Sequence, residues 1–346
     1  MNFKKLVFVS CLVTLQLTVV VRAQDWLIDA SPYKAVITQK GNTVELNNGL
    51  VRRKFTIGAN FACTDYTNLT NQQQLLRAIK PEARIVLDGV LYNVGGLVGQ
   101  KENGYILPGL ADTLKAGAND FKYVSHKIAP LKPFLNWKNK SWAHHTAAPT
   151  GQELIVTYAH PSQKLNGIKV EVHYELYNHL PLIVKWVSII NTSNTPHALD
   201  RVVNEVLGLV EEESAVVGTP EEMKKQHGIY IETNYAFNNS MRYDISDHTT
   251  HWDIDSSYTS QVNYNYQTPC LLKVYPDKAP GIELAPNEKF TSVRTFELLM
   301  DSYDRIRRGL MIKKMYRTIA PWVTQNPIFM HLVSKNDAEV KAAIDQ

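Results

Sequence analysis

Two stretches of the chain gather the side chains that sugar recognition and acid–base chemistry need. Lys132 to Pro149 is Pro-bounded and carries Trp137, Trp142, His144 and His145. Sugars offer C–H faces that stack on indole and hydroxyls that bond to imidazole, so these four are candidate carbohydrate contacts. The competing expectation is that both tryptophans pack a long loop onto a sheet. Tyr243 to Tyr266 is polar and aromatic, with Asp247, His248, His251, Trp252 and Asp253. Asp and His can act as a general acid and base, or the oxygens can hold a cation. The spacing is irregular and matches neither HExxH nor an EF-hand, so a polar surface loop with incidental histidines stands beside that reading. Asp247, His248, Trp252 and Asp253 form the second set of carbohydrate candidates. His173 and Glu175 lie two apart in one strand and share a face, as an aldose epimerase would require if that face were open.

Other patterns exclude chemistry. Gly95-Gly96-Leu97-Val98-Gly99 has neither the GxGxxG order nor the Lys-Ser or Lys-Thr of a P-loop, and reads as a turn. Gly-x-Ser-x-Gly is absent, which argues against an ordinary serine hydrolase. Neither a CxxC nor a zinc spacing occurs, so no metal site is assigned; no residue of this chain is assigned as catalytic either. Cys63 and Cys270 are far apart, and their pairing is left open.

These candidates have to be positioned by strands. Thr43 to Ile57 holds two apolar-rich runs joined by Asn47-Asn48-Gly49, and Arg84 to Val94 repeats the device with Asp88-Gly89; both are hairpin signals. Glu153 to Tyr158 is a short strand. Ile168, Val170, Val172, Tyr174 and Leu176 alternate with polar residues, which buries one face. Leu182 to Ile190 is apolar on both faces, as in the central strand of a packed sheet, and Trp186 beside Lys185 is read as core. Val202 to Val210, Gly228 to Glu232, Leu271 to Tyr275 and Phe290 to Leu299 continue the pattern. The fold class is therefore mainly β, a large two-sheet antiparallel supersandwich.

The two ends differ from the middle. Lys4 and Lys5, the apolar run Leu6 to Val21, and Val21-Arg22-Ala23 make a signal-peptide pattern with cleavage expected after Ala23; the run is short for a bilayer of about 30 Å. Secretion or periplasmic export follows, with no stable membrane span. Removing residues 1–23 takes away Lys4, Lys5 and Arg22 and no acid, which brings the formal charge from +4 to about +1. That balance argues against a nucleic-acid partner. At the other end, Asp301-Ser302 can cap a helix in which Tyr303, Ile306 and Leu310, then Met311, Met315 and Ile319, recur at helical spacing. Arg305 to Arg317 reads as its solvated face. Pro321 ends the helix, Pro327 to Val333 is a short apolar strand, and a helix starts at Asn336. Residues 24–300 are the sandwich, and 301–346 are a linker helix and the first βα unit of a truncated (β/α)₈ barrel.

Two segments resemble a known family. Val172-His173-Tyr174-Glu175-Leu176-Tyr177, then Leu180-Pro181-Leu182-Ile183-Val184-Lys185-Trp186 with Asn191, is similar to the YxLYxxLPxIxKW…N strand pair in the N-terminal β-supersandwich of α-galactosidase-like glycoside hydrolases, family thirty-six and relatives. Pro280 to Ser292, Arg294-Thr295-Phe296-Glu297-Leu298-Leu299, Asp301 to Arg305, Met315-Tyr316-Arg317 and Ala320-Pro321-Trp322 resemble the segment joining that sandwich to the barrel. The resemblance implies a galactose-mutarotase-like fold and hydrolysis of a glycosidic bond by two carboxylates on later barrel strands, without a redox cofactor. It also implies that sandwich loops reach the sugar pocket, and that Arg294 and Glu297 organise the junction. A stand-alone carbohydrate-binding module and, last, an aldose epimerase are the alternative readings.

Overall fold

The computed structural model describes residues 25–135, 138, 147–213, 218–235, 249–260, 263, 265–320, 332, 334 and 336–345. The chain begins as a meander, β1 (Val36–Lys40), β2 (Thr43–Asn47), β3 (Val51–Ile57), β4 (Phe61–Asn68) and β5 (Gln73–Gln74), hydrogen-bonded in that order. Gly49 turns β2 into β3 at φ 84°, a left-handed conformation that glycine adopts at least cost. β6 (Leu76–Ala78) follows. Asp88 at φ 52° and Gly89 at φ 73° then close the expected hairpin of β7 (Ala83–Leu87) and β8 (Val90–Val94). Gly95-Gly96 is the expected turn: both have positive φ, and a Cβ on Gly96 would lie 2.6 Å from the Pro81 Cα.

The largest sheet has seven strands. β15 (Ile229–Thr233), β20 (Thr295–Leu299), β12 (Leu182–Asn191), β11 (Ile168–Tyr177), β10 (Gly151–Ala159) and β9 (Lys122–Pro130) pair in that order, with β19 (Lys289–Thr291) beside β20 on β12. A four-stranded sheet joins β18 (Pro280–Leu284), β13 (His197–Val203), β7 and β8. Another joins β16 (Thr250–Asp253), β17 (Leu271–Val274), β14 (Glu205–Leu209) and β6. The fold is a β-sandwich in which one broad sheet faces a layer divided into three smaller ones, a correction to the expected two sheets. The division is local. Val202 to Val210 breaks at Asn204 into β13 and β14, because the buried Asn204 amide donates to the Val293 carbonyl and its backbone N–H to the Val274 carbonyl.

Strand alternation builds the core. Val170, Val172, Tyr174 and Leu176 of β11 and Ile183, Val187 and Ile189 of β12 face the smaller sheets, where Leu46, Phe55, Phe61, Ile85, Leu199 and Leu272 meet them. The other face of β12 is apolar too. Leu182 and Val184 pack with Leu298, Met300 and helix α2 (residues Arg305–Ile319, after the single turn α1, Leu110–Thr113). β12 is therefore covered on both sides, as its composition predicts.

Helix α2 departs from expectation in two ways. Its N-cap is Asp304, whose carboxylate accepts the Arg307 N–H at 2.7 Å, while Asp301 binds the Arg307 guanidinium and the Trp26 indole. Met311 and Met315 are buried, but Tyr303, Ile306 and Leu310 point outward, Ile306 at 73% exposure. The final helix α3 (Asp337–Asp345) buries none of its residues, and Asn336 caps it. The strand expected over Pro327–Val333 falls, Leu332 apart, outside the described residues.

Candidate functional site

The outward face of the seven-stranded sheet carries a row of side chains set by register. Glu232 of β15 lies opposite Phe296 of β20, Phe296 opposite Val184, Val184 opposite Glu175, and Glu175 opposite Glu153. Successive residues alternate faces, so all five stand on one side. Where the C-terminal end of α2 crosses this row, a cavity of about 200 Å³ opens. Phe134, Tyr177, Phe296 and Tyr316 give it aromatic walls, Met315 and Ile319 an aliphatic one, and Glu232, Asn234 and Arg294 its polar groups. An engineered cavity of ~150 Å³ holds benzene, so this one has room for a single six-membered ring.

The polar groups are held in place. Arg294 Nη1 lies 2.9 Å from Glu175 Oε2, and the Tyr177 hydroxyl donates to the same oxygen at 2.9 Å. The Arg294 guanidinium is stacked between two rings, 3.7 Å from the Trp186 centroid and 4.4 Å from that of Phe134. His173 lies parallel to the other side of this column, 4.5 Å from Trp186, and its Nδ1 is 2.8 Å from Glu153 Oε1. The Arg294 N–H donates to Asn234 Oδ1 at 2.7 Å. Glu232 accepts the Tyr230 hydroxyl at 2.7 Å and the Tyr316 hydroxyl on its other oxygen. Burial pushes the Glu175 carboxyl up, against the pull of Arg294. Burial and then the neighbouring Glu175 push Tyr177 well above the usual phenol range, and burial with Glu232 raises Tyr316. Both phenols stay protonated and act as donors.

The ends of three chain segments meet here. Phe134, Leu135 and Pro149 line the cavity, and they flank the stretch with Trp137, Trp142, His144 and His145. Those four residues lie outside the described ones. Thr233 and Asn234 also line it, and residue 236 begins the undescribed stretch that holds Asp247 and His248. Ala320, at the end of α2, is the third. Trp252 and Asp253 are elsewhere. They belong to β16 rather than to a surface loop, and the correction has a simple cause: Thr250 to Asp253 pair with β17. Trp252 packs against the main core, Asp253 bridges Lys273 at 2.6 Å, and His251 stacks on Tyr275. Neither Trp252 nor Asp253 lines the cavity.

His173 and Glu175 do share the outward face, but it is covered there: both are buried and paired with Glu153 and Arg294. Arg294 and Glu297, expected together at a junction, point to opposite faces, and Glu297 sits inside the sandwich against Arg53 and Tyr66. Cys63 and Cys270 are free and buried, Cys63 beside Arg53 and Cys270 beside Arg77. Among the described residues no cluster of His, Cys, Asp and Glu could hold a metal ion. Sequence reasoning missed Phe134, Glu232 and Asn234 as site residues. Tyr177, Arg294, Phe296 and Tyr316 stand inside the two family-like segments, which was the available signal.

No protein-family model matches the chain, and no curated protein does. Among solved structures, the α-galactosidase from Lactobacillus brevis is similar at 11% identity and a TM-score of 0.42, covering 83% of this chain and 42% of its own. A variant GH36 α-galactosidase from Geobacillus stearothermophilus in complex with raffinose matches at 12% identity and a TM-score of 0.40, covering 75% of this chain and 41% of its own. A protein from Klebsiella pneumoniae subsp. pneumoniae described as an aldose 1-epimerase matches at 9% identity and a TM-score of 0.35, covering 83% of this chain and 87% of its own. The similar structures include the family thirty-six α-galactosidases that the sequence motifs resemble, and the chain spans about two fifths of their length, 42% in the first case.

Proposed function

We propose that this chain is the carbohydrate-side β-sandwich of a secreted glycoside hydrolase resembling α-galactosidases, and that the cavity over the seven-stranded sheet is where it touches the glycan. Described residues flanking both candidate stretches, Phe134, Leu135 and Pro149 of one and Thr233 and Asn234 of the other, line one aromatic cavity, and this carries the reading. A cavity of ring size with aromatic walls and fixed hydrogen-bonding groups suits a sugar, whose C–H faces are apolar and whose edge is polar. In this reading Trp137, Trp142, His144, His145, Asp247 and His248 extend the contact, and Trp252 and Asp253 have only structural roles.

The hydrolytic step itself would belong to two barrel carboxylates, as the resemblance implies, and none of the carboxylates described here is assigned to it. The exposed apolar side chains of Tyr303, just before α2, and of Ile306 and Leu310 on it, together with α3, none of whose residues is buried, support a further packing partner such as that barrel. Titrating the chain with galactose and raffinose, followed by calorimetry, tests the reading. We expect weak one-to-one binding that Phe296→Ala and Trp137→Ala each reduce severalfold. Binding unaffected by either change, or no binding, removes the proposal. A stand-alone binding module predicts instead affinity that stays unchanged in any longer form of the protein.

A further inference from the structure

The chain ahead of β1 grips helix α2 at two points. Residues 25–33 open with a turn in which the Ile28 and Asp29 N–H groups donate to the Asp25 carbonyl. The Asp25 carboxylate caps this turn, accepting the Leu27 N–H at 3.0 Å. It also accepts two guanidinium N–H groups of Arg307, at 2.9 and 3.0 Å, as a bidentate pair. The same guanidinium reaches Asp301 at 2.6 Å, and Asp301 accepts the Trp26 indole N–H at 2.9 Å. Two turns further along the helix, Lys314 Nζ donates to the carbonyls of Trp26 and Leu27 at 2.8 and 3.2 Å. Arg307, Met311 and Lys314 follow one another at i, i+4 and i+7, so they share one stripe of α2. The Trp26 side chain is buried in the apolar cluster that holds Met311 and Met315. The segment is also tied to the turn between β11 and β12. The Tyr33 carbonyl accepts the His179 N–H at 2.9 Å, and just beyond it the Ala35 N–H donates to Asn178 Oδ1 at 2.6 Å.

We propose that residues 25–33 are a strap that sets the position of α2 on the sheet, and through it the wall of the cavity. Met315, Tyr316, Ile319 and Ala320 line that cavity, and the first three belong to the same helix as Arg307 and Lys314. A helix moves as a unit, because each backbone N–H is bonded four residues back. A slide or roll of α2 therefore breaks the strap contacts and draws Tyr316 away from Glu232 together. Asp25 and Trp26 are positioning residues in this account: neither lines the cavity, and both act on it through α2. The effect on affinity rests on the reading that the cavity holds a glycan, whereas the hold on α2 does not.

Amide hydrogen exchange and raffinose calorimetry on the full chain test it, with Trp26→Ala, Asp25→Ala and Asp25→Glu. Cutting the strap should speed exchange over residues 311–320 by about tenfold, the shift that losing one charge-assisted hydrogen bond produces. Exchange in β11 and β12 should stay as it was, and raffinose affinity should fall severalfold. Asp25→Glu keeps the carboxylate and should restore most of both. Near-ultraviolet circular dichroism establishes that the variants fold. Should Trp26→Ala unfold, Asp25→Ala still decides the matter, because the Asp25 side chain is 36% exposed and its loss opens no core. Exchange that rises equally in β11 and β12 would mean that the strap adds only global stability, and overturns the positioning role. Unchanged exchange in α2 overturns it as well. Faster exchange in α2 with raffinose affinity unchanged overturns the link to the cavity. A chain that binds no raffinose, yet loosens in α2 when the strap is cut, removes the glycan contact and leaves the strap standing.

Discussion

Arg53 and Lys185 carry two positive charges into the space between the sheets, and the carboxyls of Glu82, Glu205 and Glu297 surround them. Arg53 Nη1 is 3.0 Å from both Glu205 and Glu297, Lys185 Nζ is 2.7 Å from Glu205, and Glu82 lies 3.8 Å from Arg53 and 4.0 Å from Lys185. None of these side chains is more than 1% exposed. Two cations and three carboxylates balance only if one carboxyl keeps its proton. Glu297 is that group: burial and then the charge on Glu205 push it well above the usual carboxylate range. Burial also works against ionised Glu205, but Arg53 and Lys185 outweigh it and hold the group at about 2. The two act oppositely with pH. The Glu205 contribution is present above its ordinary value of 4.5 and is lost as pH falls from there toward 2. The Glu297 contribution is full below 4.5 and fades as pH rises toward its elevated folded-state value. In thermal melts across pH, Glu297→Gln should remove the alkaline decline and keep the acid one. At neutral pH it should cost under about 1 kcal/mol, whereas Glu205→Gln strands the cations and should cost about 3–5 kcal/mol in urea unfolding. Equal losses in the two variants would show that Glu297 is ionised. Nothing in the sequence announces this cluster. Lys185 sits in an apolar strand and Arg53 in a hairpin, 244 positions from Glu297, and only the stacking of the sheets brings them together.

Elements were legible where the signal is local. The Asn-Asn-Gly and Asp-Gly turns, the alternation of β11 and the two apolar faces of β12 each follow from residues adjacent in sequence, and each is present. Division of the second layer was not legible, because it depends on the partners of Asn204 at remote positions. Helix α2 shows the limit most clearly. Its spacing predicts a helix, but Ile306 and Leu310 look as apolar as Met311 and Met315, and only the position of the sheet decides which pair is covered. Two substitutions test that assignment in urea unfolding. Met311→Ala should cost about 2–5 kcal/mol through the cavity it leaves, and Ile306→Ser should change stability by no more than about 0.5 kcal/mol. The reverse order would mean that the helix is rotated. In the Gly95-Gly96 turn, Gly96→Ala combines a left-handed φ of 76° with a Cβ 2.6 Å from the Pro81 backbone. It should destabilise by more than about 1 kcal/mol in the same assay.

On the scale of the whole molecule, the sandwich works as a platform with two unlike faces. The inward face holds the apolar core and its neutralised ionic centre. The outward face holds the column of His173, Trp186, Arg294 and Phe134, which leads from the sheet to the cavity beside α2. The sequence showed the tryptophan- and histidine-rich stretches but not that described residues flanking both line one cavity. That depends on Phe134, Glu232, Arg294 and Tyr316, which meet only after β15, β20 and α2 have docked. Composition likewise marked Trp252 and Asp253 as candidates, and pairing with β17 gave them other partners. The central claim is that this cavity is the glycan contact. A crystal of the chain soaked with raffinose addresses it most directly. A galactosyl ring bounded by Phe296 and Tyr316, within hydrogen-bonding distance of Glu232 or Asn234, is the result expected. A sugar ordered at any other surface, with the cavity holding only water, would contradict the account.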